Sequence, residues 1–347
     1  MRERVDLRSD TVTKPVPEML RAMVEAELGD DVLGDDPTVR KLEEKTATML
    51  GMPAALFFPS GTMSNQTAIQ VQTRPGDEII CDVGAHLYVY ESGGPAFIAH
   101  VSVCTIDGYN GVITAPMIAK RIRPDNYHAP PTRLICLENT HNRAGGRVFP
   151  VETAAEVAKL AREHDIKIHL DGARIWNAAA ARGIPVTEWT QHAHTVNVCL
   201  SKGLGAPIGS LLAGSKETIE KARWTRKRLG GGMRQAGVIA AAGIYALDHH
   251  LVRLAEDHAN ARALAEGLLG LPGLDVRPTE VETNIVMIDM TEDSKFTAPE
   301  MQALLAEYNV YVLALAPTRI RAVTHLDVER AGVDRAIEVW RKLLKGR

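Results

Sequence analysis

Lys167-Ile168-His169-Leu170-Asp171-Gly172-Ala173-Arg174 and Thr195-Val196-Asn197-Val198-Cys199-Leu200-Ser201-Lys202-Gly203 are two short apolar runs, one closing on a carboxylate and the other on an amine. Each has the length of a buried strand, and a glycine follows each charged residue at once. A lone lysine at a strand end reads as a solvated terminus. An aspartate closing a neighbouring strand changes that reading, because both groups then reach the same edge of one sheet. Alternation along the first run also puts His169 and Asp171 on one face. No accompanying His, Asp or Glu cluster has metal-ligand spacing, so this pair is not read as a metal site.

Outward from these runs, apolar strand-like and helix-like segments alternate. Strands are expected over 54–58, 78–82, 101–106, 133–138 and 208–213, and helices over 18–28, 38–50, 63–72, 115–122 and 151–164. Asp36-Pro37 reads as an N-cap followed by proline at the first helical position. Strands separated by helices predict an α/β fold with a mostly parallel sheet covered on both faces. A long helical stretch, 235–269, leads into strands near 284–290, 310–314 and 319–323 and helices over 298–307 and 327–345. This pattern predicts a large domain over residues 1–250, including an N-terminal arm, and a small C-terminal α+β domain over 251–347.

Composition is that of an ordinary globular chain: 347 residues, 45% hydrophobic, 24% charged, net charge −3. The charge argues against a dedicated nucleic-acid binder. One basic run, Lys221-Ala222-Arg223-Trp224-Thr225-Arg226-Lys227-Arg228, is read as a solvated helix face. The rival reading, a non-enzymatic anion- or nucleic-acid-binding protein, rests on that run. Cys81, Cys104, Cys136 and Cys199 show no CxxC spacing and read as reduced core residues. No apolar leader and no stretch of membrane-spanning length is evident, so a cytoplasmic protein without membrane association is expected.

In parallel sheets, ligands bind beyond the carboxyl ends of the strands. His86, Glu138, Asp171 and Lys202 all fall at or just after predicted strand ends. An amine and a carboxylate so placed fit pyridoxal phosphate (PLP): Lys202 would carry the cofactor as a Schiff base, and Asp171 would keep the pyridine nitrogen protonated. Ser60-Gly61-Thr62 opens a helix after a strand and offers free N–H groups to a phosphate, although alone it reads first as an ordinary Ser N-cap. His86 suits stacking on a cofactor ring and accepting a proton near neutral pH; His128 carries the same ambiguity with a surface histidine. Gly230-Gly231-Gly232-Met233-Arg234-Gln235 is either a plain linker or a turn bringing Arg234, and with it Lys227, toward an anion. Arg319 and Arg321 alternate along one strand, and either could fork onto a substrate carboxylate.

Asp6-Leu7-Arg8-Ser9-Asp10-Thr11-Val12-Thr13 resembles the opening of threonine aldolases, PLP enzymes of fold type I. The resemblance continues through Gly29-Asp30-Asp31-Val32, Pro59-Ser60-Gly61-Thr62-Met63, Glu138-Asn139-Thr140-His141-Asn142, the two opening runs, Leu229-Gly230-Gly231-Gly232-Met233-Arg234-Gln235-Ala236-Gly237 and Arg321-Ala322-Val323-Thr324-His325. It implies an aminotransferase-like large domain and retro-aldol cleavage of L-threonine or L-allo-threonine to glycine and acetaldehyde. By resemblance, Lys202, Asp171, His86 and His128 are the catalytic residues. Arg174 donates to the ring's phenolic oxygen, Gly61 and Thr62 cradle the phosphate, and Arg234 with Lys227 reaches the phosphate of a neighbouring subunit. Ser9 and Arg321 hold the substrate carboxylate, and His128 lies near its hydroxyl. The resemblance also implies a homotetramer, a dimer of dimers sharing active sites. Leu33 stands where the family commonly has Tyr, removing an aromatic wall or hydroxyl near the substrate. The lysine–aspartate pair alone would equally serve an alanine racemase or a β-eliminating lyase.

Overall fold

The computed structural model describes residues 4–345. In chain order its strands are β1 (Val5–Asp6), β2 (Ala54–Phe58), β3 (Glu78–Asp82), β4 (Ser102–Ile106), β5 (Thr132–Glu138), β6 (Lys167–Asp171), β7 (Thr195–Cys199), β8 (Ser210–Gly214), β9 (Leu274–Asp275), β10 (Ile285–Met290), β11 (Val310–Tyr311), β12 (Leu313–Ala316) and β13 (Arg319–Val323). The main sheet has seven strands in the order β2-β8-β7-β6-β5-β3-β4. It is parallel except for β8, which runs antiparallel to both β2 and β7. Residues 78–82, 195–199 and 210–214 are buried throughout, which is why these strands read as continuous apolar runs rather than alternating ones.

Register sets the working edge. Glu138 on β5 lies opposite Asp171 on β6, and Asp171 lies opposite Asn197 on β7. Three polar side chains thus stand side by side where their strands end. Strand β7 stops at Cys199, three residues earlier than the sequence reading; Lys202 begins a turn closed by Gly205 N–H to the Lys202 carbonyl (2.8 Å). Gly205 has φ +76°, a conformation that favours glycine. Thr13 Oγ1 donates to that same carbonyl (3.0 Å), so the N-terminal arm ties down the lysine's backbone.

Several expectations changed in detail. The helix expected over 18–28 is Pro17–Val24, and the stretch 235–269 divides into Gly237–His249, a 3-10 turn at Leu251–Arg253 and Leu254–Leu268, with a 51° bend. The run 310–314 splits because β11 pairs with β1 of the arm, whereas β12 joins the four-stranded sheet β12-β13-β10-β9. Among the described residues no single helix is long and apolar enough to cross a membrane. The basic run lies in helix Lys216–Arg228 but is not a uniform solvated face. Arg226 is buried, ion-paired to Asp31 (2.7 Å) and donating to the Phe57 carbonyl (2.6 Å).

Candidate active site

At the carboxyl edge of the main sheet, a cleft of about 230 Å³ is lined by Gly61, Thr62, His86, Asp171 and Lys202, together with Asn65 and Asn197. The floor is Asp171, which is buried. Its Oδ2 accepts from Asn65 Nδ2 (2.8 Å), and its Oδ1 accepts from Asn197 Nδ2 and the Ala173 N–H (both 3.1 Å). Burial works against the charge, but His86, Lys202, His169 and the Asn65 bond together hold this carboxyl below its ordinary range. Among the described residues no Lys, Arg or His nitrogen lies within ion-pair distance of it. A buried carboxylate hydrogen-bonded only by amides and a backbone N–H, with no cation in contact, matches a protonated ring nitrogen as its partner.

His169 belongs to the same network and is not a metal ligand paired with Asp171. Its Nε2 meets Asn65 Oδ1 (3.1 Å) and its Nδ1 meets Thr195 Oγ1 (2.9 Å). Burial pushes its pKa down to about 4, so it is neutral at ordinary pH. Its effect is to fix which way Asn65 points, so that the amide N–H side faces Asp171.

Gly61 and Thr62 open helix Gly61–Gln72, whose N-cap Ser60 accepts from the Met63 N–H. The first N–H groups of a helix have no intrahelical acceptor, so this end of the cleft presents donors and a positive dipole end. A Cβ on Gly61 would come within 2.8 Å of Cys199 Sγ, so only glycine lets the helix start this close to the sheet. The donors suit a phosphate at one end of the cleft, and Asp171 suits a pyridinium at its floor. The residues present therefore fit PLP.

His86 is held at three points. Its backbone N–H donates to Glu138 Oε2 (2.7 Å), its Nδ1 meets Glu91 Oε1 (2.9 Å), and its ring packs at 5.5 Å from that of Tyr90. Burial disfavours the charged ring, yet the Glu91 bond and the Asp171 charge outweigh it and raise the pKa of His86.

Arg174 and Arg321 lie behind the cleft. Arg174 grips buried Asp10 of the arm with Nε and Nη2 (both 2.6 Å), leaving the Nη1 hydrogens and the second Nη2 hydrogen for another acceptor. Arg321 Nη1 donates to Asn142 Oδ1 (2.7 Å) and its Nη2 to the Arg8 carbonyl (3.3 Å), while its buried Nε has no partner. The Ser9 hydroxyl caps the short 3-10 turn Asp10–Val12, accepting from the Thr11 N–H (3.2 Å) and Oγ1 (2.8 Å). Arg319, the other candidate carboxylate clamp, pairs instead with Asp289 (2.6 Å).

Three expected residues are not brought to the cleft within one chain. His128 is exposed in the loop before β5, at the amino end of that strand and so at the edge opposite Lys202; its ring packs on Tyr127 at 3.8 Å. Lys227 lines a separate surface hollow with Trp224 and Val32. Arg234 is exposed and pairs with Asp30 (3.0 Å). Leu33, in the same acidic turn as Asp30, is 75% exposed. Asn65, Glu91 and Asn197 escaped the sequence reading. Asn197 had a signal, a lone amide in an apolar strand, and Asn65 lies in an unusual buried polar helical run, Ser64-Asn65-Gln66-Thr67.

The fold and this cleft define a PLP enzyme of fold type I. The chain matches the beta-eliminating lyase family model over residues 6–292. It is 44% identical to low-specificity L-threonine aldolase 1 of Arabidopsis thaliana over 98% of this chain and 96% of that protein. It is 43% identical to the low specificity L-threonine aldolase of Escherichia coli K12, covering 98% and 99% respectively. The Leishmania major threonine aldolase structure superposes with TM-score 0.84 at 19% identity, covering 98% of this chain and 99% of that one. An SPT structure holding PLP as an internal aldimine superposes with TM-score 0.75 at 19% identity, covering 98% and 87%. The chain belongs to the beta-eliminating lyase family and, within it, to the low-specificity L-threonine aldolases.

Proposed function

We propose that the chain is a PLP-dependent carbon–carbon lyase that cleaves L-threonine and L-allo-threonine to glycine and acetaldehyde, and related β-hydroxy-α-amino acids to glycine and the matching aldehyde. The observation that carries this reading is Asp171: a buried, ionised, amide-held carboxylate lacking a cation, in one cleft with the Lys202 amine. PLP, joined as a Schiff base, supplies an electron sink for the pair released when a bond to Cα breaks. Lys202 is the residue to bear it, Asp171 the partner of its pyridine nitrogen, and Gly61 and Thr62 the phosphate donors. Arg174, through an N–H that Asp10 leaves free, is the donor for the phenolic oxygen. Arg321 and Ser9 would hold the substrate carboxylate, and fixing that group would select which bond to Cα is broken. His86 accepts the β-hydroxyl proton, directly or through a water it orients.

In this scheme Arg234 and Lys227 reach the phosphate of a neighbouring copy in a homotetramer, a dimer of dimers with shared sites, and His128, at the far edge of its own sheet, approaches a substrate hydroxyl only in another copy. A cytoplasmic location and a division near residue 250 into a large cofactor domain and a small α+β domain belong to the same reading. The test is a product assay on the purified protein with PLP and the four threonine stereoisomers. Glycine and acetaldehyde from the L-isomers are expected. Ammonia and a keto acid would establish β-elimination instead, and D-alanine formed from L-alanine would establish racemisation.

A further inference from the structure

We infer that Glu91 is the positioning residue for His86, holding the imidazole with its proton on Nδ1 and its Nε2 lone pair free for the substrate. Glu91 is buried, with a fully covered side chain, at the end of the segment 86–91 that begins at His86. Its Oε1 accepts from both His86 Nδ1 (2.9 Å) and Asn65 Nδ2 (2.8 Å), and Gln66 Nε2 donates to its Oε2. Three donors converge on one carboxylate, so an ionised Glu91 satisfies them all and a protonated one would waste an acceptor position. A carboxylate at this distance is an acceptor only, and the proton between it and His86 therefore belongs to Nδ1.

The second half of the geometry is the Asn65 amide. The same Nδ2 that donates to Glu91 donates to Asp171 Oδ2 at 2.8 Å, one hydrogen to each carboxylate. His169 fixes the other side of that amide through Asn65 Oδ1 (3.1 Å), so the amide cannot flip without losing all three contacts. Asp171 and the His86–Glu91 pair are thus oriented by one side chain. The packing allows it because Gly94 carries no Cβ; one would overlap the Gln66 amide.

The charged groups facing His86 come from four elements. Glu91 closes its own segment, Asp171 ends β6 with His169 behind it, Glu138 of β5 takes its backbone N–H, and Lys202 opposes it from the turn after β7. Proton accounting is closed. The β-hydroxyl proton moves to Nε2, the Nδ1 proton stays on the ring, and Glu91 remains ionised beside the imidazolium. When Cα is reprotonated, the ring gives up the proton it gained and returns to its starting form. Glu91 touches neither substrate nor cofactor and acts through His86 alone.

This inference rests on the reading of His86 as the proton acceptor, but its test does not depend on turnover. The ring protons and nitrogens of His86 are followed by NMR against pH in the full-length chain stripped of cofactor, with assignment by His86→Asn. In the wild type the neutral ring is expected to show a protonated Nδ1 and an unprotonated Nε2; the opposite tautomer overturns the proposal. In Glu91→Gln, which keeps shape and removes charge, the His86 midpoint is expected to fall by about one pH unit. The acid limb of kcat/KM in the PLP-loaded enzyme should move down with it. An unmoved midpoint in a folded Glu91→Gln variant, even with reduced activity, assigns Glu91 a merely structural role and defeats the inference. A shifted midpoint in Glu91→Gln combined with no threonine cleavage by the PLP-loaded wild type would leave Glu91 as the partner of His86 and refute the aldolase reading instead.

Discussion

Asp171 and Asp10 are both fully buried carboxylates close to Lys202, and the protein satisfies them in opposite ways. Asp10 receives a two-pronged grip from Arg174 (2.6 Å on each oxygen) and a further contact from Asn284 (3.3 Å). Asp171 receives two amides and one backbone N–H, all neutral. A charge paired with arginine is already neutralised, and its role is to fasten the arm over the turn that carries Lys202. A charge hydrogen-bonded only by dipoles, with His86 and Lys202 near it but not in contact, leaves room for a cation against it. The contrast separates a carboxylate that secures the structure from one whose hydrogen bonds leave it free to face a cation.

The largest expected effect removes the amine that would carry that ligand. Lys202→Ala should lose both the visible Schiff-base absorbance with added PLP and all turnover; full steady-state activity in that variant would refute the assignment. Asp171→Asn should still bind PLP weakly while kcat falls by at least about a hundredfold, since the electrostatic support at the ring nitrogen is gone. Its denaturation midpoint should fall less than that of an Asp10 variant: the new amide turns a donor toward the Asn65 amide or the Ala173 N–H and leaves that one donor unpaired, but it strands no buried charge. Wild-type kcat in Asp171→Asn would erase the distinction drawn above.

Asp10→Ala should show the reverse pattern. It leaves the Arg174 guanidinium buried and unpaired, a change worth about 3–5 kcal/mol of stability, read by urea unfolding near pH 7. The pH dependence has a definite sign. Arg174, outweighing burial, holds the Asp10 carboxyl well below its ordinary range. Stability from this pair is therefore complete above the unfolded carboxyl pKa of about 3.9 and is lost as pH falls toward the folded value. His169 adds to acid sensitivity, since its buried ring has a pKa near 4. Its contribution declines as pH falls from about 6.5, the free imidazole value, toward that point. An Asp10→Ala protein as stable as the wild type would mean the ion pair does no more than offset its own desolvation.

Much of this was legible in the chain because it depends on local order. Strand ends place Glu138, Asp171 and Lys202 on one edge, and apolar runs mark which strands are buried. The antiparallel turn of β8 was hidden, since a fully buried strand reads alike in either direction. Asn65 and Glu91 were hidden for a different reason: their importance arises only when helix Gly61–Gln72 packs against β6 and against residue 91. The absence of His128 from the cleft of its own chain is also physical. Its loop precedes β5, so continuity of the strand carries it to the far edge of the sheet however suggestive its neighbours are.

Glu43 tests the comparison from a third side, with the smallest expected effect. It is a buried carboxylate with neither a close arginine nor an amide cradle. The Phe57 N–H donates to its Oε1 (2.9 Å), and Arg223 stands off at 3.8 Å. Burial dominates these weaker contacts and pushes its pKa up to about 7. In the folded state it therefore holds a proton that the unfolded chain releases near 4.3, and wild-type stability should fall through this group as pH rises from about 4.3 to 7. Glu43→Gln keeps an acceptor for the Phe57 N–H and has no proton to lose. Its stability relative to wild type, measured by urea unfolding, should improve between pH 5 and pH 7 and level off above that. A difference independent of pH would mean that Glu43 is ionised throughout, with Arg223 and nearby Arg226 serving it as Arg174 serves Asp10. A carboxylate then needs no close grip to be neutralised, and the open charge at Asp171 would have to be argued from its hydrogen bonds alone.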